Sequence, residues 1–333
     1  MPLYASVHVS PSIPWTAPNG KPGGPWSPIA CTLIHTSTHA VLVDTPITVS
    51  QTDGLIAWME QTLAPGATLD YIYVTHGHGD HWFGINRLLA RWPGARAVAT
   101  PGTIAHMKGQ IAPKAFHAMW GSRFPDQIDM AFRLAEPLPA SGTFYLPLDE
   151  GDATTTTPKG VDEQGYKLQA VEVGHADTHS STVLFVPALR LVAAGDVVYG
   201  DVHQMLGEAN THALRMEWVR AVDTVAALDP TPQVVVPGHV KPHELCGAWH
   251  LERTRRYILD FDALVEGGGG SGDDSPRPQN ARELVARMKE LWPTRFNDGA
   301  LVVGAINAFK VKEKEKKQKQ QKADAGRGGG GKL

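Results

Sequence analysis

Residues Leu69–Gly84 read LDYIYVTHGHGDHWFG, an apolar strand-type run that empties into Thr75–His81, THGHGDH. In an extended loop alternate side chains point the same way, so His76 and His78 can grip one metal ion together. Asp80 and His81 lie adjacent where the loop turns toward a helix, and they can face a second ion. Gly77 and Gly79 let the backbone take conformations that bulkier residues resist. Imidazole and carboxylate donors suit zinc, with iron and manganese open. The plain alternative is a polar loop of solvated histidines. A lone histidine would favour it; this spacing directly after an apolar strand does not.

Working outward, Ile29–His35 and Ala40–Val43 read as strands joined by a polar Thr-Ser-Thr turn. Gln51–Leu63 reads as a helix, with Leu55, Ile56, Met59 and Leu63 on one face. Residues 10–30 are rich in Pro, Gly and Trp and predict an irregular loop packed over the body of the protein. Downstream, Gly84–Trp92 reads as helix, Arg96–Ala99 as strand and Thr103–Lys108 as a short helix. Residues 110–135 have mixed helical character suited to a lid or an insertion. The second half repeats the style of the first. Tyr166–Val173 leads into Gly174-His175-Ala176, and the pair Thr182–Val186 and Arg190–Ala194 leads into Gly195-Asp196. After a helix at His212–Leu228, Gln233–Val236 empties into Pro237-Gly238-His239. Four strands thus run into polar, glycine-containing loops that carry His or Asp. Such loops project from one edge of a sheet scaffold, where functional groups gather. Residues 267–278 read as a flexible linker, Ala281–Trp292 and Ala300–Phe309 as helices. One domain is expected over residues 1–309, followed by a lysine-rich, low-complexity tail without structure at 310–333.

Composition narrows the classes. The 333 residues can bury a large core, and 42% hydrophobic with 20% charged residues is ordinary for a soluble globular protein. A net charge of -3 gives no global attraction to nucleic acid or an anionic membrane. No apolar run approaches the ~20 residues that a spanning helix needs. The N-terminus lacks the basic start and apolar stretch of a secretory signal. Cys31 and Cys246 are the only two cysteines, too few for a disulfide framework or a cysteine-based zinc site. The expected compartment is the reducing cytosol. The terminal Gly331-Lys332-Leu333 faintly approaches a peroxisomal Ser-Lys-Leu address, with Gly a poor match. Histidine is the unusual entry: fifteen are present, several in short Gly- and Asp-rich stretches.

The H-x-H-x-D-H pattern resembles that of the metallo-β-lactamase superfamily, and the resemblance runs through most of residues 29–245. Gly174-His175-Ala176 is similar to the family's Gly-His-Thr-like loop, Gly195-Asp196 to its next strand end, and Pro237-Gly238-His239 to its last. The resemblance implies an α+β fold, a four-layer αββα sandwich with the site at one sheet edge. It also implies two zinc ions per chain. His76, His78 and His175 would hold the first, Asp80, His81 and His239 the second, and Asp196 would bridge them. Two metals so clamped make a hydroxide the nucleophile and polarise a carbonyl, so no serine or cysteine nucleophile is required. His179, four residues beyond His175, falls to orientation or packing. Asp44 stands where the family commonly has an aspartate bracing the metal loops, and it reads equally as a strand-ending cap.

Departures from known branches narrow the chemistry. The commonest zinc β-lactamases carry cysteine where this chain has Asp196, which argues against antibiotic hydrolysis as the native role. A flavodiiron-type redox centre would need a carboxylate at His78. The glutathione-binding basic pattern of glyoxalase II is not evident in DVVYGDVHQML, residues 196–206. Tyr199, three residues after Asp196, resembles a tyrosine of quorum-quenching lactonases that sits over the metals and assists the carbonyl or leaving group; core packing is its other reading. Asp80 and Tyr199 are therefore the catalytic candidates. His203 lines the pocket or lies at the surface. Trp82, Phe83 and Trp120 form either an apolar pocket wall or core. The expected partner is a small molecule, with neither nucleic acid nor membrane, and the expected reaction is opening of a lactone or lactam. A thioesterase of the hydroxyacylglutathione hydrolase type is the alternative. A nuclease, suggested by Lys310–Lys322, is a distant one, because Glu313 and Glu315 interrupt that run.

Overall fold

In a computed structural model, the structure describes residues 3–17, 19–149, 159–267 and 277–327. Strand β1 (Tyr4–Ser10) is followed by a short hairpin, β2 (Pro14–Thr16) and β3 (Pro22–Pro25). Then come β4 (Ile29–His35), β5 (His39–Val43), α1 (Val49–Thr62), β6 (Thr68–Tyr73), α2 (Ile85–Arg91) and β7 (Arg96–Ala99). Helices α3 (Pro101–Gln110) and α4 (Pro113–Phe116) precede the edge strand β8 (Glu136–Pro137). These strands form one sheet in the order β1-β4-β5-β6-β7-β8, antiparallel up to β5 and parallel beyond it.

The second sheet holds β9 (Thr143–Leu146), β10 (Val161–Asp162), β11 (Gly165–Gly174), β12 (Ser181–Val186), β13 (Leu191–Ala193) and β14 (Val234–Val236). Helix α5 (His212–Ala226) is the crossover that lets β14 pair parallel to β13. Helices α6 (Trp249–Glu266), α7 (Ala281–Leu291) and α8 (Asp298–Arg327) close the chain.

Alternation along the strands builds the layers. Cys31 and Leu33 of β4, with Ala40 and Leu42 of β5, pack outward against the first helices. Ile34, Val41 and Val43 face inward and meet Leu184 and Val186 of β12. Val183 and Phe185, on the opposite face of β12, bury against Trp218 of α5, Phe261 of α6 and Leu301 of α8. Helix, sheet, sheet and helix therefore stack in four layers, as expected for the αββα sandwich. Thr48 begins α1 with a capping box to Gln51, and Thr211 caps α5 through the Leu214 amide.

Three expectations change. The loop at 10–30 contains the β2–β3 hairpin, pinned by the backbone bond Trp26 N–H to Ile13 O of 2.7 Å. Helix α6 is an addition to the elements predicted above, and Leu251, Thr254, Tyr257, Ile258 and Phe261 bury one face of it. The lysine-rich stretch expected to lack structure continues α8 as far as Arg327. Its Glu313–Lys317 and Glu315–Lys319 pairs have the i,i+4 spacing, acidic residue first, that supports a solvated helix. Most of the expected linker, residues 268–276, lies outside the described residues. No helix among the described residues is long and apolar enough to cross a membrane.

Candidate metal centre

Four loops at one end of the sandwich meet: those after β6, β11, β13 and β14. In the first, Gly79–His81 forms a single turn of tight helix after the extended His78. Gly77 and Gly79 prove to be spacers, since a Cβ on either would strike the ring of His106 or Phe83.

Each histidine of the centre uses one ring nitrogen to hold a protein oxygen and aims the other inward. His76 Nδ1 donates to Thr75 Oγ1 at 3.0 Å, because that hydroxyl spends its own proton on Asp44 at 2.7 Å. His81 Nδ1 donates to Asp44 Oδ2 at 3.0 Å and His239 Nδ1 to the Pro28 carbonyl at 3.0 Å. His78 is turned the other way, with Nε2 donating to Glu208 Oε1 at 3.1 Å. These bonds set the tautomers, so that four lone pairs converge. Asp44 accepts the Thr75 amide as well, at 2.9 Å, and so takes the bracing role rather than serving merely as a cap.

Among the described residues, four overlapping groups of ligand-type side chains result, and two of them hold the inward-facing nitrogens. In the first, His76, His78 and Asp177 present ligand atoms within 4.8 Å of one another. His78 Nδ1 lies 2.8 Å from Asp177 Oδ2, and His76 Nε2 lies 3.8 Å from it. In the second, Asp80, His81 and His239 converge in the same way. Asp196 stands beside this pair of histidines, 3.2 Å from His81 Nε2 and 3.2 Å from His239 Nε2.

The donor set fits metal ions. His76 Nε2, His81 Nε2, both Asp177 oxygens and Asp196 Oδ1 are buried without a hydrogen-bond partner. Each such atom costs roughly 1–3 kcal/mol when left unsatisfied, and a cation between them removes that cost. Electrostatics points the same way. Burial works against a charge on His81 and His239, yet Asp196 and Asp80 outweigh it and hold both pKa values up, that of His239 at about 10. Carboxylates that would retain protons on imidazole will also attract a cation. The Asp177 carboxyl is pushed up to about 6 by burial, with His78 pulling the other way.

His175, expected as third ligand of the first metal, joins none of these clusters among the described residues, although its Nε2 is buried without a partner; Asp177 lies beside His76 and His78. The cause is local. The pairing of β11 with β12 shifts between Glu172 and Gly174, Gly174 takes φ 84, and the Ala176 amide donates to Thr178 O at 2.9 Å. This turn buries Ala176, Asp177 and Thr178 and leaves His175 only partly covered. Asp177 lies two residues beyond the His175 that matches the family's Gly-His-Thr-like loop, and nothing in that match singles it out. Glu208 was also missed. It is fixed by Thr178 Oγ1 at 2.6 Å, and burial notwithstanding, His78 draws its pKa down to about 2. His179 is exposed and lies against His106, ring centroids 4.2 Å apart.

A cavity of about 190 Å³ opens over the centre, with Asp80, Asp177, Asp196 and His239 in its floor. Trp26 and Trp120 stand in its wall, whereas Trp82 and Phe83 belong to the core beneath. Tyr199 also lines it and donates its phenol proton to Asp196 Oδ2 at 2.5 Å. Burial first, and then Asp196, raise the Tyr199 pKa well above the ordinary tyrosine value. His203 lines the cavity and is not at the surface; its Nδ1 lies 2.9 Å from the Tyr257 hydroxyl. Cys31 and Cys246 are both free thiols.

Because Asp44 orients two of the histidines, Asp44→Ala is expected to weaken metal affinity by about 10- to 100-fold, as loss of an outer hydrogen-bond partner generally does. Competition with a chelating dye checks this; unchanged affinity would return Asp44 to a capping role.

The family model described as the metallo-beta-lactamase superfamily matches residues 24–239. Among solved structures, the chain is similar to DIM-1 metallo-beta-lactamase exposed to ceftazidime, with 18% identity and a TM-score of 0.52 over 77% of this chain and 93% of that one. It is also similar to a metallo-beta-lactamase from Pontibacter korlensis, with 18% identity and a TM-score of 0.50 over 77% and 95% of the two chains. FIM-1 from Pseudomonas aeruginosa in its mono-zinc form also matches, at 18% identity and a TM-score of 0.50 over 78% and 92%. At such identities the likeness is one of fold. No curated protein matches the sequence significantly.

Proposed function

The chain belongs to the metallo-β-lactamase superfamily of metal-dependent hydrolases, and from that premise we propose that it is a dinuclear zinc enzyme that opens a lactone or lactam ring in a small, mostly apolar substrate. One observation carries this reading: two ligand clusters, rich in orphaned buried donor atoms, share the floor of a cavity with tryptophan walls. His76, His78 and Asp177 would hold one ion, Asp80, His81 and His239 the other, with Asp196 between. Ions held there supply Lewis acidity toward a carbonyl oxygen and lower the pKa of water toward ~7.

The chain's own groups supply the rest. Trp26 Nε1 donates to Asp80 Oδ2 at 3.0 Å, which fixes that carboxylate at the cavity floor. Tyr199 stays a neutral phenol and acts on Asp196, so it is a positioning residue in this arrangement. Tyr199→Phe is expected to lower kcat by about 10- to 100-fold with little change in KM, and to weaken metal retention. A change in KM alone would instead place the phenol on the substrate. Trp26 and Trp120 exclude water from one side.

The cavity's size and lining favour a small ring over a glutathione thioester. Arg123 is the one lysine or arginine among its described lining residues, and its Nη1 is engaged by the carbonyls of Ala118 and Met119 at 2.6 and 2.7 Å. Purified protein assayed with a homoserine lactone, a benzoxazolinone-type cyclic amide and S-lactoylglutathione separates the possibilities. Ring opening is the expected result; turnover of the thioester alone would sink the proposal.

A further inference from the structure

The segment that matches the family ends at residue 239, yet one wall of the cavity comes from beyond it. Asn297, Gly299, Ala300, Val303 and Asn307 line the space above the floor, and Trp15, from before the matched segment, stands with them. This wall is tied to the catalytic half at several points. Arg295 donates to the Val202 carbonyl at 2.6 Å, and the His203 amide donates to Phe296 O at 2.7 Å. Asn297 Nδ2 donates to Ser27 Oγ at 2.6 Å, and Asn307 Nδ2 to the Gly207 carbonyl at 3.0 Å. The last contact adjoins Glu208, the residue that holds His78.

We infer that the first three turns of α8 are the specificity wall of this site, selecting flat, aryl-fused carbonyl rings that fit between Val303 and the tryptophans. The assignment of ring chemistry rests on the hydrolase reading above; the placement of the wall does not. Three indoles line the cavity, with Trp26 5.8 Å from Trp120 and 6.2 Å from Trp15 between centroids. Flat aromatic faces and a branched aliphatic side chain favour a planar apolar guest, and the two carboxamides are spent on holding the helix.

The test compares full-length wild type with Val303→Trp, which fills the wall, and Val303→Ala, which enlarges it. Val302→Trp is the control, since Val302 is 39% exposed and lies outside the cavity lining. The readout is the ratio of kcat/KM for dihydrocoumarin, a bicyclic aryl lactone, to that for γ-butyrolactone. Val303→Trp should lower this ratio by about tenfold or more, Val303→Ala should move it less and without loss of the bicycle, and Val302→Trp should leave it in place. Coumarin binding by isothermal titration is measured on the same samples with metal content recorded. If wild type hydrolyses neither lactone, the hydrolase reading fails, and the titration decides the wall alone. Coumarin bound about tenfold more weakly by Val303→Trp than by wild type upholds the wall. An unmoved ratio in both Val303 variants, equal coumarin affinity in wild type and Val303→Trp, or no binding to wild type overturns it.

Discussion

Asp177→Ala is expected to lose one of two bound metal equivalents, whereas His175→Ala keeps both. Asp177 is 1% exposed, with neither carboxylate oxygen hydrogen-bonded, and it faces His76 and His78 across 3.8 and 2.8 Å. Without it the first cluster is two neutral imidazoles with no anionic ligand. Outer partners of a metal site cost about 10- to 100-fold when removed, and a direct ligand should cost more, so kcat/KM should fall by more than ~100-fold. A second readout separates ligand from scaffold. Asp177→Asn keeps the shape of the side chain beside His78 and removes its charge, so it should lose the same metal equivalent. A scaffold role would leave the metal content in place. His175 Nε2 is itself buried without a partner, which makes the comparison a real contest. Loss of a metal in His175→Ala and retention in Asp177→Ala would restore the ligand set that the family resemblance implied.

Asp196→Asn should reduce turnover below detection while the chain stays folded. The amide matches the carboxylate in shape and can still accept from Tyr199, so packing is conserved. What disappears is the charge that His81 and His239 both face at 3.2 Å. Metal analysis should show at least one equivalent lost, and circular dichroism an unchanged fold. Near-normal turnover would remove Asp196 from the role of shared ligand.

These predictions divide along the line between what was legible in the sequence and what was not. Contiguous features are legible: β4 has the ends its sequence predicts, and THGHGDH places four ligand-type side chains that no later folding step separates. Period-two alternation made the strands visible, and the turn after each one announced the site edge. The order of layers came from the resemblance, since alternation marks a buried face without saying what covers it. Asp177 was hidden because a register shift and one left-handed glycine decide which residue of Gly-His-Ala-Asp-Thr turns inward. Glu208 and the α8 wall were hidden because their roles exist only after distant segments meet, Glu208 at His78 and Asn307 at Gly207. His203 lines the cavity, as one of its two readings has it, and its burial by the Phe296 backbone and Tyr257 was hidden because neither is near it in sequence.

The claim on which the rest depends is that the two clusters hold two ions. The direct measurement is metal content per chain by plasma mass spectrometry on gel-filtered protein, with zinc, iron and manganese quantified together. Two equivalents, mostly zinc, are expected, falling to one in Asp177→Ala. Fewer than one equivalent per chain in protein loaded with zinc would contradict it.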